Sequence, residues 1–525
     1  MTHPHQHPEE NELPFSAILP IFIALILSIL LAALDQTIVS TALPTIAGEL
    51  HGFNKISWLI TAYLLAQTVS VPLYGKLGDM FGRKRLLLSA IVLFLVGSAL
   101  CGLAQDMNQL IGFRALQGLG AGGLMVSALA IIGDVIPARK RGKYMGVMMP
   151  IFGLATAFGP TLGGFLIDNF SWRWIFYVNM PIGILAILAV SIWLKLPERE
   201  VSLKKIDYIG AILLAGATSS LVLIVSWAGN LYSWGSWQIL SLFAAMVLLG
   251  TFFIFEEKRA EDPVFPLELF KNRIFLSTVA LGSSIGLGLF GVVTFLPTFL
   301  QIVLGASPTD SGLLMLPFSA GLMVAAITAG QLMSRTGRYK IFPLFGTAVA
   351  AIGMYLFSTL NATTPQLTIN IFMVILGMGI GSVMPVLTLV AQNSVKREEL
   401  GVATSGVNFF RQIGGALGVS IAGTLFTTRL HTELTKELPG QAASMLNQSG
   451  STTIDPSVIA HLPPQIHTGV VTAFGHALPS VFFDFIPVFL VAFIVAWFLK
   501  EIPLSTTSRF ANLGSSHSHT QQQAS

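Results

Sequence analysis

The chain has 525 residues, of which 53% are apolar and only 10% are charged, whereas soluble domains carry about 25% charged residues. This composition excludes an array of soluble domains and predicts a helical bundle in a membrane. The formal net charge of +4 is too small to indicate nucleic-acid binding, and a single cysteine, Cys101, excludes an intramolecular disulfide or a cysteine metal cluster.

The chain begins with a polar segment, which we expect to be a disordered tail, with metal binding by His3, His5 and His7 as the alternative. Fourteen apolar stretches follow, each near the ~20 residues that cross a bilayer. They lie at 17–43, 56–75, 86–104, 109–133, 144–167, 174–194, 208–228, 237–255, 275–303, 311–333, 341–360, 367–391, 404–427 and 480–499. The predicted fold class is an all-α integral membrane protein with 14 transmembrane helices.

The first stretch contains Asp35, within LDQTIVSTALP. An ionisable residue in an apolar span costs several kcal/mol, so such a residue is a functional candidate. We expect Asp35 to couple to protons or to substrate. The alternative is that Asp35 already lies in water near the outer end, because Pro44 marks the helix exit.

The second and third stretches are joined by GKLGDMFGRKR, residues 75–85. Gly75 lets two helix ends approach closely because it has no Cβ, and Asp79 is an acceptor placed to cap or pair with a neighbouring helix end. Gly82 and Arg83 complete the spacing, and the basic run 83–85 marks the inner membrane surface. We predict a role in conformational change for this loop.

The fourth stretch carries Arg114 and Gln117 in FRALQGLGAGG. Counted from the helix ends at ~1.5 Å per residue, Asp35 and Arg114 both fall in the outer half, where they could meet, and Gln117 could join the same network. The alternative for Arg114 is a side chain that reaches the outer headgroups.

The fifth stretch is rich in small residues. Four of its glycines and Pro160 predict close helix packing and a kink, with ordinary small-residue packing as the alternative. These residues are Gly153, Gly159, Pro160, Gly163 and Gly164.

An internal repeat divides the chain. GQLMSRTGRYK at Gly330 echoes the loop at Gly75 with an offset of 255, and GPTLGG at 159–164 matches GGALGV at the same offset. Two matches at one offset indicate two six-helix halves. The predicted organisation is a tail 1–16, a first half 17–194, two inserted helices with flanking loops 195–274, a second half 275–500 with a long outer loop 428–479, and a tail 501–525.

Two further residues are weaker candidates. Arg411 lies in NFFRQIGGALG, a turn or two inside the thirteenth stretch, where a structural ion pair or headgroup contact is an equal alternative to a role in transport. Asp484 lies near an outer helix end and could face a cavity. Ile466 to Pro479, before the last stretch, is predicted to form a helix on the membrane surface.

Basic residues support the span count. With the N-terminus inside, 23 of the 29 Lys and Arg residues fall in inner loops or the C-terminal tail. The outer loops hold only Lys55, Arg173, Arg429 and Lys436. This asymmetry predicts that both termini are cytoplasmic.

From 17 to 500 the sequence resembles the 14-helix drug:proton antiporters of the major facilitator superfamily, in particular multidrug exporters of bacterial plasma membranes. The resemblance is carried by LDQTIVSTALP, the loop 75–85, RALQG, AFGPTLGG and NFFRQIGG. It implies two halves that rock around a central cavity, with AFGPTLGG sealing the interface between the halves and export driven by inward proton flow.

The expected substrates are lipophilic or amphiphilic compounds, since Met and Phe are abundant and few charges line the spans. Asp35 could in addition attract cationic compounds. The alternatives are a dedicated exporter of one metabolite, lipid or siderophore, a channel, or a non-transporting sensor. We expect no cofactor, no metal site and no enzyme activity, with the proton gradient as the energy source and any accessory envelope partner left open.

Overall fold

The computed structural model describes residues 15–52, 55–148, 150–194, 207–229, 231–306, 308–438, 463–502 and 504. The histidines of the N-terminal tail and nearly all of the C-terminal tail lie outside these residues. The described part contains eighteen α-helices. They are α1 Phe15–Glu49, α2 Ile56–Phe81, α3 Arg83–Leu103, α4 Met107–Val135, α5 Ala138–Met148, α6 Pro150–Asn169, α7 Trp174–Tyr177, α8 Asn179–Trp193, α9 Tyr208–Trp227, α10 Trp237–Glu257, α11 Arg273–Ile302, α12 Pro308–Leu314, α13 Leu316–Thr336, α14 Ile341–Ser358, α15 Gln366–Asn393, α16 Leu400–Glu437, α17 Pro464–Asp484 and α18 Ile486–Phe498.

The described residues contain thirteen helical segments that are long and apolar enough to cross a membrane. The expectation of an all-α membrane protein is confirmed, and the expected number of fourteen is close to this count. The difference falls at the fifth predicted span, which consists of α5 and α6 with the undescribed residue 149 between them.

The turns after α2, α4 and α13 meet at one end of the bundle, where Arg83 pairs with Asp134 and Arg139 Nη2 donates to the Arg335 carbonyl. We call this the basic end, because it carries Arg83, Arg141 and Arg338, and the other the opposite end. Gly82 supplies the turn between α2 and α3 with φ of 92°, and Gly337 supplies the equivalent turn between α13 and α14 with φ of 71°. Both values lie in the left-handed region that glycine adopts without steric cost.

Two groups of helices form the two halves. Helices α1 to α8 pack on one another, as do α11 to α18, while α9 packs on α10 and touches α2 and α16. Only Ile239 and Glu257 of α10 are buried, so this helix lies at the periphery. Trp227 of α9 contacts Trp58 of α2 edge to face, at 5.3 Å between ring centroids.

The hydrophobic core shows where the halves meet. One buried cluster combines first-half residues such as Leu129 and Met145 with second-half residues such as Met333 and Val390. These residues lie toward the basic end. A separate cluster around Ile38 is built entirely from the first half near the opposite end. Apolar contact therefore joins the halves at the basic end.

Helices α16 and α17 differ from the sequence prediction. The predicted outer loop 428–479 is helical at both sides, because α16 continues to Glu437 and α17 begins at Pro464. The predicted surface helix within α17 instead buries Val470 and Phe474 in the core of the second half. At ~1.5 Å per residue, α16 with 38 residues and the run of α17 and α18 with 35 residues are both too long for the bilayer core alone. They therefore extend beyond it, where α16 and α17 pack on each other. Residues 439–462 between them lie outside the described part.

Candidate functional site

Asp35 is enclosed by helices α1, α3, α4 and α8, and its side chain is 0% exposed. Its Oδ2 accepts a hydrogen bond from Arg114 Nη1 at 2.7 Å, and its Oδ1 accepts from Gln117 Nε2 at 2.8 Å and from Asn179 Nδ2 at 3.2 Å. The same two amides donate to Ser98 Oγ at 2.5 and 3.0 Å. The structure thus brings Asp35, Arg114 and Gln117 together, and it leaves neither charge in water or among headgroups.

Ser98 and Asn179 were missed by the sequence analysis. Each is a small polar residue in a largely apolar helix, Ser98 in GSALCG of α3 and Asn179 at the start of α8. Such a residue is ordinary in a membrane bundle, where polar side chains bond across helices. Its position beside a carboxylate becomes visible only when the four helices are packed.

Arg114 is held from a second side by an aromatic ring. Its guanidinium carbon lies 4.0 Å from the centroid of the Tyr63 ring, a distance at which a cation is attracted to the ring face. Arg114 Nε and the Tyr63 hydroxyl have no hydrogen-bond partner within the described residues. Removing one partner of a buried ion pair destabilises the folded protein by about 3–5 kcal/mol. Neutralising Asp35 therefore releases a buried cation that must find new partners.

A second charged cluster lies at the basic end. Arg83 Nη2 lies 2.7 Å from Asp79 Oδ1, and Arg83 Nη1 lies 2.8 Å from Asp134 Oδ2. Asp79 also accepts from the backbone N–H groups of Gly401 and Val402, at 3.2 and 3.0 Å. These groups begin α16, where a helix favours negative charge. The cluster therefore joins three helices of the first half to the second half.

Gly75 and Asp79 are both needed for this contact. A Cβ on Gly75 would overlap the Ser405 side chain and approach the Gly401 carbonyl, so only glycine lets α2 lie this close to α16. The sequence predicted an acceptor at Asp79 for a neighbouring helix end, but it did not indicate that Arg83 would join Asp79 to Asp134. Asp134 lies 55 residues beyond Asp79 in the sequence, and no local pattern connects the two.

A further contact between the halves, which the sequence did not indicate, lies beside this cluster. Glycines of α5 pack on α13, with Gly142 against the Gly330 carbonyl and Gly146 against the Ala326 carbonyl. The four-residue spacing of Gly142 and Gly146 is typical of close helix contact and was the available signal. The basic end is thus closed by α2 against α16 and by α5 against α13.

The Gln392 amide reinforces this closure. Gln392 Nε2 donates to the Leu129 carbonyl of α4 at 3.0 Å and to Thr404 Oγ1 of α16 at 2.9 Å. Arg141 also bonds Gln392 Oε1 at 3.4 Å and donates to the carbonyls of Ile136 and Gly133. One buried side chain of the second half therefore connects to two helices of the first.

The glycines of α6 pack toward α1. The resemblance implies that AFGPTLGG seals the interface between the halves, and α6 does touch α12 and α13 of the second half, but Gly159 and Gly163 themselves pack against Thr37 and Thr41 of α1, within the first half. The physical reason is the close crossing of α6 and α1, where Thr37 Oγ1 donates to the Ala155 carbonyl at 2.8 Å.

Gly164 of this motif makes no comparable contact, because a Cβ on it would meet nothing within 4 Å. The surroundings of Gly153 and Pro160 lie outside the described side chains. In the second half, Gly414 and Gly418 of α16 pack against Ser283 and Leu287 of α11, which reproduces the α1–α6 arrangement in the repeat.

Arg411 lies deeper than the sequence suggested. It is eleven residues from the start of α16, hence three turns rather than one or two, because α16 begins at Leu400. It forms no ion pair among the described residues. Asp484, in contrast, lies near the opposite end with its Oδ2 2.6 Å from Arg429 Nη2, and both side chains are about a third exposed.

One group at the opposite end has metal-ligand chemistry. Glu433, Glu437 and His476 place one ligand atom each within 4.8 Å of one another. Glu437 and His476 are exposed, and Glu433 Oε1 pairs with Lys436 Nζ at 2.7 Å. Exposed acidic groups of this kind are common, and these residues are not assigned a metal.

Comparison with known proteins places these features in a family. The model of the Major Facilitator Superfamily matches residues 25–419. An uncharacterised MFS-type transporter of Mycobacterium tuberculosis is 43% identical over 490 residues, which cover 92% of this chain and 70% of that protein. Multidrug transporter protein MdtP of Bacillus subtilis is 38% identical, covering 92% of this chain and 93% of that protein. Multidrug resistance protein 3 of the same organism is 34% identical, with 93% and 96% covered.

Solved structures share the fold at low sequence identity. The proton:xylose symporter XylE superposes with a TM-score of 0.60 at 16% identity, covering 95% of this chain and 99% of that chain. The human organic anion transporter MFSD10 gives a TM-score of 0.60 at 14% identity, with 92% and 100% covered. At these identities the likeness concerns the arrangement of helices.

Proposed function

This chain belongs to the major facilitator superfamily, a family of multi-pass membrane transporters rather than enzymes, and we propose that it is a proton-coupled exporter of lipophilic or amphiphilic compounds. The regions that match this chain span more than nine-tenths of two relatives named for multidrug transport or resistance, which supports export. The observation that carries the coupling is the ion pair of Asp35 with Arg114, sealed inside the first half.

The mechanism follows from what a proton does to this pair. A proton on Asp35 removes the negative charge, and Arg114 is left as an unpaired buried cation, a state that costs several kcal/mol. The cost falls when α1 and α4 shift so that Arg114 gains water or another partner. Protonation of Asp35 and helix movement are therefore linked. Release of the proton on the other side of the membrane restores the ion pair of Asp35 with Arg114.

Helix α4 connects this step to the closed end. Arg114 and Asp134 lie twenty residues apart on α4, about 30 Å at 1.5 Å per residue, and Asp134 pairs with Arg83 at 2.8 Å. A displacement of α4 driven from Arg114 therefore acts on the cluster that holds α16. Alternating access, in which the two ends open in turn, is the transport cycle that this link supports.

We further propose that the protein lies in the plasma membrane with both termini in the cytoplasm, so that the basic end faces the cytoplasm. The excess of Lys and Arg in the loops of this end supports this orientation. Inward proton flow then supplies the energy, worth ~2.3 kcal/mol per elementary charge at 100 mV.

The test is transport in proteoliposomes with an imposed pH gradient. Nile red, ethidium and dansylaminoundecanoate serve as neutral, cationic and anionic fluorescent amphiphiles. We expect wild-type protein to move at least one of them only when the gradient is present, with matching proton movement in the opposite direction. Movement that is independent of the gradient and does not saturate would instead indicate a channel.

A further inference from the structure

Among the described residues, no carboxylate pairs with the Arg411 side chain, a cation that lies between the two halves. Its Nη2 donates to Asn408 Oδ1 at 2.8 Å. Its other neighbours are sulfur atoms, with Nη1 3.5 Å from Met384 Sδ and Nη2 3.5 Å from Met125 Sδ. A thioether is a weak acceptor. Arg411 Nε is buried with no hydrogen-bond partner in the described residues, so the guanidinium retains unused donors.

The contacts place this guanidinium near the middle of the membrane. Counted from the basic end at 1.5 Å per residue, Arg411 lies about 16 Å along α16, Met125 about 15 Å along α4, and Met384 about 14 Å along α15. The hydrocarbon core is about 30 Å thick. Three helices from both halves therefore converge on Arg411 at one depth, where a transporter of this architecture binds its cargo.

The carboxylates that could neutralise Arg411 are engaged elsewhere. Asp35 is fully buried against Arg114, and Asp79 and Asp134 pair with Arg83 at the basic end. The remaining polar contacts at mid-depth are neutral, such as Thr68 Oγ1 donating to Gln412 Oε1 at 3.1 Å across the halves. The charge available between the halves at this depth is therefore positive.

We propose that Arg411 binds the anionic group of an amphiphilic substrate, with a carboxylate or phosphate oxygen replacing the methionine sulfurs as acceptor. A guanidinium offers parallel N–H donors that fit such a group, while Met125 and Met384 are flexible apolar contacts for the adjoining chain. The proposal rests on the proposed function for calling the ligand a substrate. It changes the expected cargo from a cation to an anion, because Asp35 has no surface open to a cation.

The experiment measures binding of 11-(dansylamino)undecanoic acid and of its methyl ester to purified protein in phosphatidylcholine nanodiscs. The two probes share the fluorophore and chain and differ in charge. We expect wild-type protein to bind the acid at least tenfold more tightly than the ester, which corresponds to 1.4 kcal/mol. Equal affinity for acid and ester in wild-type protein would overturn the proposal without any variant.

Variants then assign the effect to Arg411. We expect Arg411→Gln to bind the acid at least tenfold more weakly with unchanged ester affinity, and Arg411→Lys to retain most of the preference. Arg259→Gln, an exposed arginine at the basic end, is the matched control and should bind both probes as wild type. A preference for the acid that survives in Arg411→Gln would contradict the proposal.

Two further experiments distinguish a lipid headgroup from a free amphiphile as the ligand, and the anion site from the proposed export function. Phosphatidylglycerol in the nanodisc should compete with the acid in wild type and not in Arg411→Gln if a lipid headgroup uses the site, and an absence of competition identifies the free amphiphile as the ligand. Gradient-driven export of Nile red or ethidium with no Arg411-dependent binding would refute the anion site alone. Arg411-dependent binding without gradient-driven transport of any probe would refute the exporter alone.

Discussion

Asp35 is the residue on which the proposed coupling depends. Its carboxylate accepts hydrogen bonds from three side chains on two other helices, and it has no exposed surface. Because all of its acceptor capacity is directed into the first half, a change of charge at Asp35 alters helix packing before it alters any cavity surface. This distinguishes a coupling residue from a residue that touches cargo.

The first prediction concerns Asp35→Asn. Asparagine is isosteric with the protonated acid and cannot release a proton, so we expect gradient-driven export to fall at least tenfold while the protein still folds. The measurement is dye export in proteoliposomes, together with proton release on adding substrate in weak buffer. Asp168→Asn is the control, because Asp168 is exposed near the end of α6. Wild-type export by Asp35→Asn would move the coupling carboxylate elsewhere, with Asp484 as the next candidate.

At this scale the sequence predicts charges better than their partners. Asp35 and Arg114 are detectable because an ionisable residue in an apolar span is rare, and counting along two helices places them at one depth. Ser98 and Asn179 are not detectable, since their roles exist only through contacts between helices. Arg411 was found by the same rule as Asp35, but that no described carboxylate pairs with it could be seen only from the packed helices.

At the scale of helices, α1 and α6 form the unit that holds Asp35 in place. Thr37 lies two residues after Asp35 and bonds the Ala155 carbonyl, while Gly159 and Gly163 let α6 reach the backbone of α1. The motif that resembles an exporter signature therefore supports the coupling helix directly. Close packing of small residues is a principal source of helix association in lipid.

The second prediction uses two glycines of this motif as a matched pair. In Gly159→Leu the new side chain would overlap Thr37 and push α6 from α1, a type of overpacking that typically costs about 1–3 kcal/mol. We expect a lower unfolding temperature and loss of coupled export. In Gly164→Leu the side chain enters open space, and we expect wild-type behaviour. Equal effects of the two substitutions would show that the α1–α6 contact is unimportant.

The helices also show where hydropathy is insufficient. The polar composition of 428–437 and 464–479 led to the expectation of a loop and a surface helix, whereas both segments continue long helices. Outside the bilayer a helix can be polar on its exposed face, because it needs only one apolar stripe to pack. Hydropathy therefore identified where the spans cross, but not how far the helices continue.

At the scale of the whole molecule, the polar contacts between the halves concentrate at the basic end, while α6 also touches α12 and α13. At the basic end Asp79 accepts hydrogen bonds from α16 and Gln392 donates one to α4, and the shared hydrophobic cluster lies there too. The internal repeat in the sequence predicts two halves. It could not predict which end is closed, because closure depends on contacts such as that of Asp79 with the Gly401 N–H, which join residues 322 positions apart in the sequence.

The third prediction tests this closure through Asp79→Asn. The amide oxygen can still accept from the N–H groups of α16, but the ion pair with Arg83 is lost, which leaves Arg83 paired with Asp134 alone. We expect transport to fall about tenfold, since one partner is removed from a buried charge cluster, while probe affinity stays near the wild-type value. Glu261→Gln, at an exposed position of the same end, should leave both unchanged. A large loss of affinity would place Asp79 in binding instead.

The last prediction asks from which side water reaches the centre. Gln36 is partly exposed and donates to Gln67 Oε1 at 3.0 Å, and Gln67 lies about 16 Å along α2 from the opposite end at 1.5 Å per residue. Gln36→Cys, combined with Cys101→Ser to remove the one native thiol, gives a single reporter near mid-depth. Because the basic end is closed, we expect a membrane-impermeant maleimide to label this cysteine from the opposite side and not from the basic side.

Two surface cysteines calibrate the measurement. Thr336→Cys is exposed at the basic end and Asn361→Cys at the opposite end, so each should react from its own side only and establish the orientation of the protein in the vesicle. An imposed pH gradient should slow labelling of Gln36→Cys from the opposite side if protonation at Asp35 shifts the halves. Faster labelling from the basic side in the absence of a gradient would show that the closed end described here is not the resting state in a membrane.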